Sequence, residues 1–288
     1  MLGNRFVESY LELSRVKNSF LCVGIDPATA DMRERYIIPQ RFIDERGEKE
    51  ALLEFSLNTI EAVASYAPVI KPNAQFLVYV LGYEGLKEIV EEIHHGDSLA
   101  LLDIKLSDIG STMDAALYWI DRLGFDAVTF SPFPGYENGV DAVYSWCEEK
   151  QKGIFALCRM SNPGTHDYQS RIMEGEKFYV RLARDAFEHG SNGYVVGCTA
   201  SEELREIREI IGEKPLILSP GLGAQGGNPE LALKYGANSE GEGLIISSSR
   251  EINFAYERLE WNYNRHAEAA SLMAKRKRDE LNEIKERL

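Results

Sequence analysis

An α/β fold, the (β/α)8 or TIM barrel, is what this sequence predicts, and three observations lead there. Eight short apolar runs alternate with segments of helical pattern along 288 residues. The runs are continuously apolar rather than alternating, as expected of strands buried on both faces of a parallel sheet. Eight is also the number that closes such a barrel. A doubly wound open sheet is the rival. It usually has fewer strands and a Gly-rich turn after the first, whereas here that turn reads GIDPATA.

The elements follow in order. Phe6 to Val16 carries apolar residues at helical spacing and predicts an amphipathic helix ahead of the first strand, SFLCVGIDP, which ends in Asp26. A polar, Pro-containing loop leads to a helix over Lys49–Tyr66, then to the strand APVIKPNA with Lys71 closing its apolar part. A helix over Leu81–His94 precedes the third strand, in LALLDIKLSDIGST (99–112), and a helix over Thr112–Leu123 follows it. Strand-like runs recur at 126–133, 153–160, 193–199, 215–222 and 242–250. Helical patterns separate them at Gly139–Glu149, Glu174–His189, Ser201–Ile211 and Pro229–Gly236. With no Pro-, Gly- or Ser-rich linker to divide it, the chain reads as a single domain over 1–288, the barrel spanning about 19–252. The last stretch, about 253–288, is a charged helical extension whose mixed signs suit a solvated or externally packed helix.

Composition narrows the function. Hydrophobic residues at 44% and charged residues at 27% are ordinary for a soluble globular chain. A formal net charge of −14 argues against general binding to nucleic acid or an anionic membrane. It still allows a small phosphorylated ligand, which needs only a local positive pocket. No apolar run approaches ~18 residues and the N-terminus lacks a continuous apolar core, so neither a membrane span nor a signal peptide is expected; the reading is a cytoplasmic enzyme. Cys22, Cys147, Cys158 and Cys198 are scattered and read as buried free thiols. The five histidines show no metal-ligand spacing, so no metal site is expected.

In a barrel of this kind the active site lies at the C-terminal ends of the strands. The polar residues that end apolar runs are Asp26, Lys71, Asp103 with Lys105 and Asp108, Ser131, Arg159 with Ser161 and Asn162, Thr199, Ser219 and Arg250. Asp103 and Lys105 lie two residues apart and therefore on one face of their strand. Taken alone, they could be a structural ion pair capping the strand. Two lysines and three aspartates around one mouth make a different case, because alternating charges hold one another ionised, as a lysine acid requires near neutral pH. SPGLGAQGG (219–227) offers exposed backbone N–H groups, with Gln225 as a neutral donor and Arg250 as a bidentate cation. That loop reads either as a tight turn or as a phosphate grip, and its place before the eighth strand favours the grip.

The same residues resemble the orotidine 5′-phosphate decarboxylase family, from GIDP near residue 24 to SSSREI near residue 252. DIKLSDIGST is similar to that family's DxKxxDI(G)xT signature, so Asp103, Lys105 and Asp108 match its catalytic Asp–Lys–Asp and Lys71 its remaining tetrad lysine. Asp26 is similar to the Asp that holds the ribose, Thr112 to the Thr after the signature, and Ser161 in MSNPG to the residue reading the pyrimidine edge. Pro220, Gln225 and Arg250 correspond to the phosphate site. Ser249 departs from the pattern, since many members have Gly before the Arg, and the longer 28–49, 165–176 and C-terminal segments point to the longer bacterial-type subgroup.

The resemblance implies cofactor-free decarboxylation of orotidine 5′-phosphate to UMP and CO2, with Lys105 protonating C6. It also implies a homodimer in which Asp108 and Thr112 serve the neighbouring subunit's site. A Mg2+-dependent sugar-phosphate decarboxylase or aldolase of the same superfamily is the nearest alternative, although such enzymes typically carry an acid where Lys71 stands. A Schiff-base aldolase and a non-catalytic nucleotide-binding dimer are more distant ones.

Overall fold

The computed structural model describes residues 4–222 and 226–288. Eight parallel strands form the closed barrel: β1 (Leu21–Ile25), β2 (Val69–Pro72), β3 (Leu99–Leu106), β4 (Ala127–Phe130), β5 (Gly153–Arg159), β8 (Gly193–Val196), β9 (Leu216–Pro220) and β10 (Leu244–Ser248). They run round the barrel as β1-β10-β9-β8-β5-β4-β3-β2, the ring expected from the eight apolar runs. Two further strands, β6 (Ile172–Met173) and β7 (Glu176–Lys177), pair antiparallel as a small hairpin outside it. Among the described residues no helix is long and apolar enough to cross a membrane.

Strand alternation divides the core in two. Inward-facing Cys22, Val69, Leu101, Ala127, Phe155, Val195, Leu216, Leu218 and Ile245 pack inside the barrel, while their neighbours in sequence pack outward against the helices. The lumen is closed at the N-terminal end of the strands by the helix Arg5–Val16, capped by Asn4, whose side chain accepts from the Phe6 and Val7 N–H groups. Phe6 meets Phe155 edge to face at 5.8 Å, and Tyr10 donates to the Leu244 carbonyl at 2.5 Å. Gly153 leaves room for this plug, because a Cβ there would lie 2.5 Å from the Phe6 ring.

Several element boundaries differ from the sequence reading. The helix expected from Leu81 begins at Ala74, capped by Asn73, and is broken at Gly82 (φ 64°, ψ −167°). That break puts the apolar residues on either side out of phase, which hides the first turns from a periodicity search. The loop after β1 contains a short helix, Gln40–Arg46, and the helix expected from Glu174 starts at Phe178 because the hairpin occupies its first turn. The C-terminal extension is interrupted before its long helix, His266–Lys285, which buries Ala269, Ala270, Met273 and Ala274. Phe55, on the helix Glu48–Val63, stacks on His266 at 4.9 Å and on Phe254 at 5.3 Å. All four cysteines are buried and free.

Candidate active site

The C-terminal mouth of the barrel opens into a cleft of about 520 Å³, within the range of small-ligand sites. Asp26, Lys71, Asp103, Lys105, Ser161, Pro220 and Arg250 all line it, although they come from six strands or strand-ends far apart in sequence. Alternation explains the convergence. Lys71 follows the inward-facing Val69, and Asp103 the inward-facing Leu101, each two residues further along.

Asp103 is the hub of the charged groups. Its Oδ2 accepts from Lys71 Nζ at 2.6 Å and its Oδ1 from Lys105 Nζ at 2.6 Å. Side-chain exposure rises from 8% for Lys71 through 13% for Asp103 to 37% for Lys105, so Lys105 is the member of the trio most open to a ligand. Burial works against the charge on each of the inner two, yet each is held ionised by the other. Lys71 and Lys105 keep the Asp103 carboxyl well below the usual carboxylate range, and Asp103 keeps Lys71 above the usual lysine range despite its burial. Two ammonium groups on one carboxylate give the array a positive excess that can stabilise negative charge at the mouth.

Asp26, at the end of β1, is fixed from two sides. Arg33 Nη1 lies 3.2 Å from Oδ2, and Asn253 Nδ2 donates to Oδ1 at 3.0 Å and to the Gly24 carbonyl at 2.7 Å. The Arg33 guanidinium stands 5.2 Å from the ring centres of both Phe76 and Phe254. Burial pushes the Asp26 carboxyl upward, against the pull of Arg33 and Lys71. Sequence reasoning passed over Arg33 and Asn253. Arg33 sits in a polar loop and Asn253 in the C-terminal segment, and only folding brings them to the first strand.

Next to β1 round the barrel, the ends of β9 and β10 bring Pro220 and Arg250 to the cleft, the latter opening the short helix Arg250–Asn253 with its guanidinium 5.9 Å from the Tyr36 ring. Gly221 and Gly227 close the base of the 221–227 loop, with the Gly227 N–H donating to the Gly221 carbonyl at 3.2 Å. Gln225 lies outside the described residues. Ser249 fits because residue 24 is glycine: a Cβ at Gly24 would stand 2.0 Å from Ser249 Oγ. Ser161 is similarly accommodated by Gly197, whose missing Cβ would meet the Ser161 Cβ at 2.9 Å.

Asp108 and Thr112 do not enter this cleft. Both are exposed beyond the end of β3, and Asp108 accepts from the adjacent Ile109 N–H at 2.7 Å. Arg159 is also diverted: β5 shifts register between Leu157 and Arg159, which turns Arg159 outward toward Glu203 at 3.4 Å. Ser219 is fully buried and faces away from the mouth, next in sequence to the inward Leu218. Among the described residues no group of three His, Cys, Asp or Glu side chains is placed to hold a metal ion.

With this geometry in view, the comparisons with known proteins are specific. The family profile of orotidine 5′-phosphate decarboxylase / HUMPS matches residues 19–260. An orotidine 5′-phosphate decarboxylase of Dechloromonas aromatica is 34% identical over 284 residues, covering 96% of this chain and 98% of that protein. One from Ralstonia pickettii is 33% identical over 288 residues, covering 98% and 99%. The structure of Leishmania donovani OMP decarboxylase superposes with a TM-score of 0.75 at 27% identity, covering 97% of this chain and 98% of that one. Fold and sequence agree, and this chain belongs to the orotidine 5′-phosphate decarboxylase / HUMPS family.

Proposed function

We propose that the chain decarboxylates orotidine 5′-phosphate directly to UMP and CO2, with no electron-sink cofactor. The observation that carries this reading is the Lys71–Asp103–Lys105 array at the mouth of a barrel of this family. The bond from C6 to the carboxylate breaks and its electron pair stays on C6. The Lys105 ammonium offsets the developing charge and then transfers a proton to C6, regaining one from solvent. Asp103 stands beside the departing carboxylate and accepts a hydrogen bond from the Lys105 ammonium. Lys71 and Asp108 complete the charge array and hold ribose hydroxyls, with Asp26 as the principal ribose ligand.

Ser161 reads the pyrimidine edge, and Pro220, Gln225 and Arg250 grip the phosphate. Enzymes lower barriers by roughly 8–23 kcal/mol, more than one Lys–carbanion contact supplies. Phosphate binding energy, remote from the reacting carbon, contributes the rest by drawing the site closed around the ring. Exposure of Asp108 and Thr112 supports a homodimer in which each subunit lends them to the other's cleft. The solvent-facing Ile109, Tyr118 and Trp119 beside them provide apolar surface for such an interface. We also take the barrel and its C-terminal extension as one folding unit, on the packing of His266–Lys285 against Glu48–Val63.

The test is the loss of ultraviolet absorbance from orotidine 5′-phosphate, followed with and without EDTA. Turnover indifferent to EDTA is expected. Turnover that requires Mg2+ would favour the sugar-phosphate branch of the superfamily, and no turnover would reject the assignment.

A further inference from the structure

β3 and β4 fall out of register in the middle of the site. Leu102 pairs with Val128 and Leu106 with Phe130, so Asp103, Ile104 and Lys105 together face one residue of β4, Thr129. The extra length is taken up as a bulge, in which Lys105 adopts φ 56°. L side chains enter this left-handed region only where their surroundings impose it.

The bulge carries the Lys105 N–H away from the regular ladder, and it donates instead to Thr129 Oγ1 at 3.0 Å. The same hydroxyl donates to Asp103 Oδ1 at 3.1 Å. These directions are forced, because a backbone N–H can only donate and an ionised carboxylate can only accept. Thr129 is 1% exposed, so water does not compete for either bond. One buried hydroxyl therefore ties the backbone of Lys105 to the carboxylate oxygen that already holds its ammonium at 2.6 Å.

We propose that Thr129 is a positioning residue for the reaction, its hydroxyl setting where Lys105 Nζ stands relative to Asp103 and so to the substrate carbon. The inference rests on Lys105 being the proton donor. Thr129→Val removes the hydroxyl while keeping the β-branched shape; Thr129→Ala removes it and relieves any crowding; Thr129→Ser keeps it. The experiment measures kcat and KM on orotidine 5′-phosphate for all four proteins, together with UMP binding by calorimetry.

Both hydroxyl-free variants should lose roughly ten- to a hundredfold in kcat, the scale of a misplacement of about 1 Å at a reacting group. Their UMP affinity should stay within about twofold, because ribose and phosphate contacts lie elsewhere, and Thr129→Ser should keep kcat within about threefold of wild type. Wild-type kcat in Thr129→Val or Thr129→Ala would overturn the inference. So would a Ser variant as impaired as the other two, or UMP binding that weakens in step with kcat. An inactive wild-type chain would overturn the proposed function, and this inference with it; an active wild type with unaffected variants would overturn this inference alone.

Discussion

Lys71→Met asks whether the charges at the mouth are held by mutual balance. Methionine keeps much of the lysine volume and removes only the ammonium. At 2.6 Å and an effective permittivity of about 20, the Lys71–Asp103 attraction is about 6 kcal/mol. Opposing it is the cost of keeping a lysine at 8% exposure, which is several kcal/mol per ion. The two nearly cancel, so the net effect is governed by what the substitution leaves behind. Asp103, 13% exposed, retains Lys105 and Thr129 but lacks one counter-charge. Stripping a buried charge of its sole partner costs ~3–5 kcal/mol; with Lys105 still in place, about 1–3 kcal/mol is expected. The pH dependence supplies the sign. Asp103 has a depressed folded-state pKa, so its contribution is present above the unfolded value of about 3.9 and is lost as pH falls through the folded one. Lys71→Met lessens that depression. Both proteins share the same unfolded reference, so the deficit of the variant should be full at pH 7 and 5 and shrink only as pH falls through the folded-state values of Asp103, the variant's first. Urea unfolding followed by tryptophan fluorescence at pH 7, 5 and 3.5 measures it. A deficit below about 0.5 kcal/mol at pH 7, or one larger at pH 3.5 than at pH 7, would refute the balance.

Lys105→Ala should fold, bind UMP and turn over no orotidine 5′-phosphate; near-normal decarboxylation by it would remove the assigned proton donor. Arg250→Ala should raise KM by roughly ten- to a hundredfold, the loss of a charge-assisted contact, yet change little with a substrate lacking phosphate. Equal losses on both substrates would reject the phosphate role. Lys105→Ala and Asp108→Asn chains, each inactive alone, should regain about a quarter of wild-type activity when mixed in equal amounts. Half the dimers are then mixed, and each mixed dimer carries one native site. No recovery under exchange conditions would contradict sites built from two subunits.

The barrel was legible because parallel strands buried on both faces must be continuously apolar, and the charged ends of those runs stand out against them. Lys71 and Asp103 were legible for the same reason, since period-two alternation carries them into the lumen mouth, and Lys105 follows Asp103 there through the β3 bulge. Thr129 was not. Inside DAVTFSPF it reads as an ordinary strand former, and its role arises only from a bulge in the neighbouring strand. Arg33 and Asn253 escaped because their shared partner, Asp26, lies 227 residues from Asn253 and across a loop from Arg33. Arg159 was misplaced outright: the alternation that served Lys71 and Asp103 fails where β5 slips register.

Among the described residues, the plug made by Phe6 and Tyr10 closes one end of the barrel and leaves the C-terminal mouth as its doorway. Under the proposed reaction, substrate, nucleotide product and released gas all pass the same rim, where Pro220, Gly221, Leu222 and Arg250 stand. Carbon dioxide formed beside Asp103 then has the Phe6–Tyr10 plug behind it, so its escape is tied to whatever loosens the nucleotide at the front. Traffic and chemistry then share one gate, and a residue that grips phosphate also governs how long the two products remain together.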